Sequence, residues 1–202
     1  MRIDIVGEDY VTRAVISRLI KEYRADLTIN NSMPVRGGEI KSKAPMYNNT
    51  GLPIFMLTDL DSYACPPSLI SDWFGNSSLN NNLLFRIAYG EAETWLMADR
   101  EGFSKWLQIN INKIPKPKKN AGITEIVFPY KPSLFLMKDL AACSLNNELK
   151  EGLCPVFRAK KGPLYNSLIR DFIENKWNIE EAAKNSASLA ITIERLKNKK
   201  FT

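Results

Sequence analysis

The sequence predicts an α/β protein: a mostly parallel, Rossmann-like sheet flanked by helices, with a helical C-terminal part. Three observations carry this reading. Ile54-Phe55-Met56-Leu57 is an unbroken apolar run that stops at Thr58-Asp59-Leu60-Asp61, the pattern of a strand covered on both faces. A second short run, Ile3 to Val6, passes through Gly7-Glu8-Asp9 into helically spaced Val11, Ala14, Val15, Leu19 and Ile20. A third, Leu83 to Tyr89, also passes directly into a helical pattern. Strands alternating with helices build parallel sheets.

Taken in order, residues 1–6 form the first strand and Asp9 is placed to cap the helix that follows. Residues 26–31 (DLTINN) suit a short second strand. Arg36-Gly37-Gly38, with Lys41 and Lys43 after it, reads as a loop leading into a short helix; its backbone N–H groups and cations also suit a phosphate. The spacing of a P-loop is missing. Residues 53–58 form the central strand, Pro66-Pro67 start a short helix with Leu69, Ile70 and Trp73 on its apolar side, and residues 75–82 form a turn-rich loop. After the strand at Leu83 to Tyr89, one helix is expected from about Glu91 through Leu107. The Lys- and Pro-rich stretch Asn112 to Asn120 breaks the pattern as an exposed basic loop and marks a soft boundary. Beyond it come helices at 132–145 and 163–177, then one or two over 179–200. The expected organisation is a catalytic core over 1–110 and a basic, mainly helical extension over 111–202, packed on that core.

The composition removes several chemistries. There is no histidine, which excludes Ser-His-Asp and Cys-His catalysis and every histidine-ligated metal site. Three cysteines, Cys65, Cys143 and Cys154, lie far apart without a C-x-x-C pair, so they read as reduced thiols rather than a disulfide frame or zinc site. No apolar stretch is long enough to span a membrane and no signal-peptide pattern opens the chain; a cytoplasmic location is expected. The net charge is +6. Residues 1–100 hold 10 Lys and Arg against 12 Asp and Glu, and residues 101–202 hold 18 against 10. An acidic first half beside a basic second half suits a polyanionic substrate, although a Lys-rich solvated surface gives the same count.

The acids are the sharpest feature. In an extended chain, residues two apart share a face, with Cα atoms roughly 6.5–7 Å apart. Asp59 and Asp61 are therefore expected to point together from the carboxyl end of a buried strand, where open α/β sheets bind ligands. Close carboxylates repel unless a cation or shared proton intervenes, and Mg²⁺ or Mn²⁺ is the fitting cation. Alone, the pair also fits solvated loop residues or a helix cap. Glu8, at the end of the first strand, joins them if the two strands are neighbours. Glu91 lies at a further strand-to-helix junction. It is preferred to Glu93 as a fourth acid, because residues two apart on a helix point differently; a charge favoured by the helix dipole is the plainer explanation. Among the basic residues, Arg158, Lys160 and Lys161, ahead of Gly162-Pro163 and a helix, make the best anion site, with Arg36 and Lys41 as further nucleic-acid contacts.

A glutamate after strand one and D-x-D after a later central strand resemble the Toprim domain. This is the Mg²⁺-dependent module of topoisomerases, bacterial primases and overcoming-lysogenization-defect nucleases. The blocks E-A-E-T-W-L-M-A-D (Glu91 to Asp99), Cys65-Pro66, K-K-G-P-x-Y-N (Lys160 to Asn166) and S-x-S-L (Ser186 to Leu189) resemble those of a group of Toprim-like bacterial proteins. The resemblance implies a Toprim-like fold, Glu8 as general acid/base, Asp59 and Asp61 as Mg²⁺ ligands, and pairing with an ABC-type ATPase in anti-phage defence. The longer D-x-D-x-x-G of many Toprim enzymes is absent, since Ser62, Tyr63 and Ala64 follow Asp61. Two functions are thus expected to compete: a Mg²⁺-dependent nuclease acting on DNA or RNA, and a non-catalytic adaptor that docks nucleic acid or the ATPase.

Overall fold

A computed structural model describes residues 1–35, 38–120 and 122–202. The chain forms two compact units, one of residues 1–89 with 191–202 and one of residues 90–190. They divide the chain after Tyr89 and Ala190, whereas the composition break read from the sequence lies at 111, inside the second unit.

In unit one, β1 (Arg2–Gly7) leads to α1 (Tyr10–Tyr23), β2 (Thr28–Pro34), α2 (Glu39–Asn49), β3 (Ile54–Asp59), α3 (Pro66–Phe74) and β4 (Leu83–Ala88). The four strands form one sheet in the order β2-β1-β3-β4, every pair parallel. The expected α/β architecture is present, and β1 and β3 are neighbours in the register Ile5↔Phe55, Val6↔Met56, Gly7↔Leu57. Strand alternation distributes the apolar run between two layers. Val6, Ile54, Met56 and Phe85 are buried with Ile40 and Ala44 of α2 and Leu69, Trp73 and Phe74 of α3. Ile5, Phe55 and Leu57 face the other way, where α1 packs on β1 and β3 and buries Val11, Val15 and Leu19.

One polar residue inside β1 has a specific task. Asp4 sits where the β1–β2 register slips between Ile3 and Ile5. Its Oδ1 accepts from Asn30 Nδ2 (3.0 Å), Asn31 N (3.1 Å) and Asn31 Nδ2 (3.0 Å), so the irregularity is hydrogen-bonded rather than open. The C-terminal residues close this unit. Arg24 donates to the carbonyls of Leu196 and Lys199, and Asn82 exchanges hydrogen bonds with Thr202.

Unit two differs from expectation in three places. The single helix expected over 91–107 is two, α4 (Ala92–Ala98) and α5 (Arg100–Leu107). Asp99, at φ −76° and ψ 70°, ends the first, and its side chain accepts from Gly102 N at 3.0 Å to cap the second. The basic stretch is not all loop: β5 (Lys118–Asn120) pairs antiparallel with β6 (Ile123–Glu125). The helix expected over 132–145 starts as α6 (Pro132–Phe135), widens to a π turn at Leu136–Leu140 and tightens to a 3₁₀ turn at Ala141–Cys143. Three further helices, α7 (Asn147–Leu153), α8 (Tyr165–Asn175) and α9 (Ile179–Asn185), complete it. The final helix α10 (Ala187–Asn198) carries the chain back into unit one. The core of unit two is aromatic: Phe103 meets Phe172 edge to face with centroids 5.0 Å apart, and Trp106 lies 4.8 Å from the same ring. Among the described residues, no helix is long and apolar enough to cross a membrane.

Candidate active site at the ends of β1 and β3

In the order β2-β1-β3-β4, the chain leaves β1 toward one edge and returns to place β3 on its other side. The gap beyond the carboxyl ends of β1 and β3 is therefore the topological switch point, where parallel sheets hold ligands. Glu8 and Asp59 lie there. Gly7 pairs with Leu57, so Glu8 falls level with Thr58, whose Oγ1 donates to Glu8 Oε2 at 3.2 Å.

The turn from β1 into α1 is built tightly around Gly7. A Cβ at this position would stand 2.5 Å from Thr12 Oγ1 and 2.9 Å from the Arg13 backbone nitrogen, so only glycine fits. Asp9 and Thr12 then cap α1 reciprocally: Thr12 N donates to Asp9 Oδ1 and Asp9 N donates to Thr12 Oγ1, both at 3.0 Å. The expected capping role of Asp9 is present, and this leaves Glu8 as the acid carried by the junction.

Asp61 reaches Glu8 by a different route from the one expected. The extended conformation ends at Asp59, Leu60 turns into the core, and Asp61 adopts φ +47°. Aspartate tolerates this left-handed conformation better than most residues. It is the turn, not strand alternation, that places Asp61 where its charge acts on Glu8. The Glu8 carboxyl is held above its ordinary value of 4.5, first by burial and second by the neighbouring Asp61 charge; the Thr58 hydroxyl and the Asp59 backbone N–H pull the other way, and Asp9 adds a weaker push upward. Asp61 is exposed and Asp59 half-buried. Among the described residues, no three acidic or cysteine side chains stand close enough as placed to hold a metal ion together.

The other residues singled out by sequence lie elsewhere. Glu91 is the N-cap residue of α4, buried, with Oε2 accepting from Ser133 N at 2.7 Å and Oε1 3.3 Å from Lys131 Nζ. Glu93 faces other partners, as expected from its spacing: its Oε1 accepts from Tyr165 Oη at 2.7 Å. Lys41 pairs with Asp72 at 2.6 Å on the surface of unit one. Arg36 lies outside the described residues. Arg158, Lys160 and Lys161 line a cleft of unit two with a volume of about 650 Å³. The thiols of Cys65, Cys143 and Cys154 are free.

Three of the sequence blocks singled out above, Glu91 to Asp99, Lys160 to Asn166 and Ser186 to Leu189, meet one another inside unit two, while Cys65-Pro66 starts α3 in unit one. Glu93 binds Tyr165, Trp95 Nε1 donates to Ser188 Oγ at 2.8 Å, and Ser186 and Ser188 both donate to Glu125. Asp99 accepts from Asn178 N at 2.9 Å as well as from Gly102. Their residue types are thus those of a buried hydrogen-bond frame. Two residues the sequence reading passed over belong to the functional description. Thr58 orients Glu8, and a hydroxyl preceding the D-x-D was its only sequence signal. Tyr165 supports the cleft, and only its place in K-K-G-P-x-Y-N marked it.

No family model, curated protein or solved structure matches this chain.

Proposed function

We propose that the protein is a Mg²⁺- or Mn²⁺-dependent nuclease of Toprim-like type, with Glu8, Asp59 and Asp61 as its reacting cluster. The observation that carries the reading is the placement of Glu8 and Asp59 at the adjoining carboxyl ends of β1 and β3, at the switch point of the sheet, where burial and the Asp61 charge hold the Glu8 carboxyl above its ordinary value. The residues fit a hard divalent ion. The donor set is all oxygen, its repulsion is of the kind a cation relieves, and Mg²⁺ needs only one or two protein carboxylates when water and phosphate supply the rest. A bound ion of this kind stabilises charge on a phosphoryl oxygen and lowers the pKa of water. Glu8, whose carboxyl is held above its ordinary value, is the group suited to take a proton from an attacking water. Thr58 fixes its orientation. Asp61 lies exposed on a left-handed turn. The resemblance to Toprim modules supports the same roles, and it supports an ABC-type ATPase as partner and a place in anti-phage defence.

The test is divalent-dependent cleavage of single- and double-stranded DNA and RNA, with and without the ATPase. Glu8→Gln, Asp59→Ala and Asp61→Ala are each expected to lower the rate by roughly 10²-fold or more, with circular dichroism unchanged. Glu91→Gln is expected to act through Lys131 and Ser133 instead, and so to change stability or binding rather than metal dependence. A second reading is a non-catalytic adaptor that docks nucleic acid or the ATPase, since among the described residues no three acids stand close enough as placed to hold a metal ion together. Retained cellular activity in Asp59→Ala, with no cleavage by wild type, decides for the adaptor.

A further inference from the structure

The cleft of about 650 Å³ in unit two is lined by Lys131, Lys138, Arg158, Lys160, Lys161 and Phe157, and among the described residues no acidic one lines it. Two of its lysines are braced from behind by buried acids. Lys131 pairs with Glu91, which is 6% exposed and also holds the Ser133 backbone. Lys161 stands 4.7 Å over the ring of Tyr165, and that ring is fixed by the buried Glu93 carboxylate. The loop between them is pinned: a Cβ on Gly162 would stand 2.3 Å from the Leu153 carbonyl carbon, and Leu164 N donates to Gly152 O at 2.9 Å. These cations are presented by a built frame rather than by a floppy surface.

Phe157 is the anomaly in this wall. It adopts φ +55°, a conformation costly for a bulky residue, and leaves its side chain 97% exposed. Neither the strain nor the exposed ring serves the packing of unit two. The Arg158 guanidinium lies 5.6 Å over the ring, so a cation and an apolar face are offered together. A ligand that answers both is negatively charged and carries a flat face. A duplex presents its phosphates but keeps its base faces stacked inside. A single strand presents both. The volume also lies in the range of about 300–1,000 Å³ that takes a small-molecule-sized unit, not a double helix.

We propose that this cleft binds single-stranded nucleic acid, with one base stacked on Phe157 and the flanking phosphates held by Arg158, Lys160, Lys161 and Lys131. The proposal rests on nucleic acid being the ligand class of the proposed function, and it names the form of that ligand. It makes no use of the carboxylate chemistry.

The experiment is fluorescence anisotropy on the full chain in EDTA, with labelled short single-stranded DNA and RNA, the matching duplex, and adenosine monophosphate as competitor. Single strands are expected to bind at least about tenfold tighter than the duplex. Phe157→Ala is expected to weaken them about tenfold or more and leave the salt slope unchanged, while Phe157→Trp retains binding. Lys160→Ala is expected to flatten the slope by about 0.7. Because the Phe157 ring is exposed, its loss does not threaten folding, and an unchanged or higher Tm verifies this. Equal affinity for duplex, an unaffected Phe157→Ala, or full competition by the free nucleotide at the strand's own affinity overturns the proposal. Binding that follows these expectations in a protein that never cleaves defeats the nuclease reading alone.

Discussion

Glu8 concentrates the electrostatics of the candidate site in one titration. Burial and the Asp61 charge hold its carboxyl above 4.5, so the folded state keeps that proton more tightly than the unfolded chain does. The sign follows from linkage. Between the ordinary value and the raised one, the folded state binds more protons, so this group's contribution to stability falls as pH rises through that window and stays unfavourable above it. Glu8→Gln removes the penalty. The variant is expected to match wild type in Tm at pH below the ordinary value and to exceed it at neutral pH, as thermal scans across pH measure. Mg²⁺, which favours the ionised cluster, is expected to raise the Tm of wild type more than that of the variant. Asp61→Asn retains a side chain suited to the left-handed turn while deleting the charge, so the Glu8 carboxyl should titrate lower in it. A variant Glu8→Gln less stable than wild type at neutral pH would show that the Thr58 hydrogen bond outweighs burial and repulsion.

At the scale of elements, the site depends on how tightly β1 turns into α1. Gly7→Ala forces a Cβ against Thr12 and the Arg13 backbone, and a loss of about 1–3 kcal/mol is expected by urea unfolding; an unchanged midpoint would mean that the turn relaxes freely. This turn was partly legible in the sequence. The β3 run is apolar without interruption and the β1 run is broken only by Asp4, because both faces of each strand are covered, and Asp9 is a good cap, so strands, helix start and the place of Glu8 could all be read. The position of Asp61 was not, because extended alternation does not continue through a residue that sits at positive φ. The break at Asp99 was hidden for a related reason. Trp95, Leu96, Phe103 and Leu107 keep a helical spacing across it, and only the pairing of Asp99 with Gly102 and Asn178 divides the segment. The β5–β6 hairpin was hidden because Lys118 and Lys119 lack the apolar alternation of a strand and rely on backbone pairing alone.

For the molecule as a whole, the charge pattern changes meaning once the chain is folded. The sequence halves suggested an acidic part and a basic part. Counted by compact unit the contrast vanishes: residues 1–89 and 191–202 carry 13 Lys and Arg against 10 Asp and Glu, and residues 90–190 carry 15 against 12. Both units are equally basic, because the cationic tail of α10 belongs with the sheet. Binding of a polyanion therefore cannot be assigned to one unit by net charge, and local arrangement must decide it. Lys116, Lys118 and Lys119 are exposed on and beside the hairpin, outside the residues that line the cleft. Lys160 lines it. If the overall field governs binding, neutralising any of these lysines should have the same effect on affinity and salt dependence. If the cleft governs, Lys160→Ala should flatten the slope of log affinity against log salt by about 0.7 for a single strand, and the three hairpin substitutions together should leave that slope unchanged. A salt titration of the two variants separates the two, since an equal fall per lysine would return the basic character to a solubilising role.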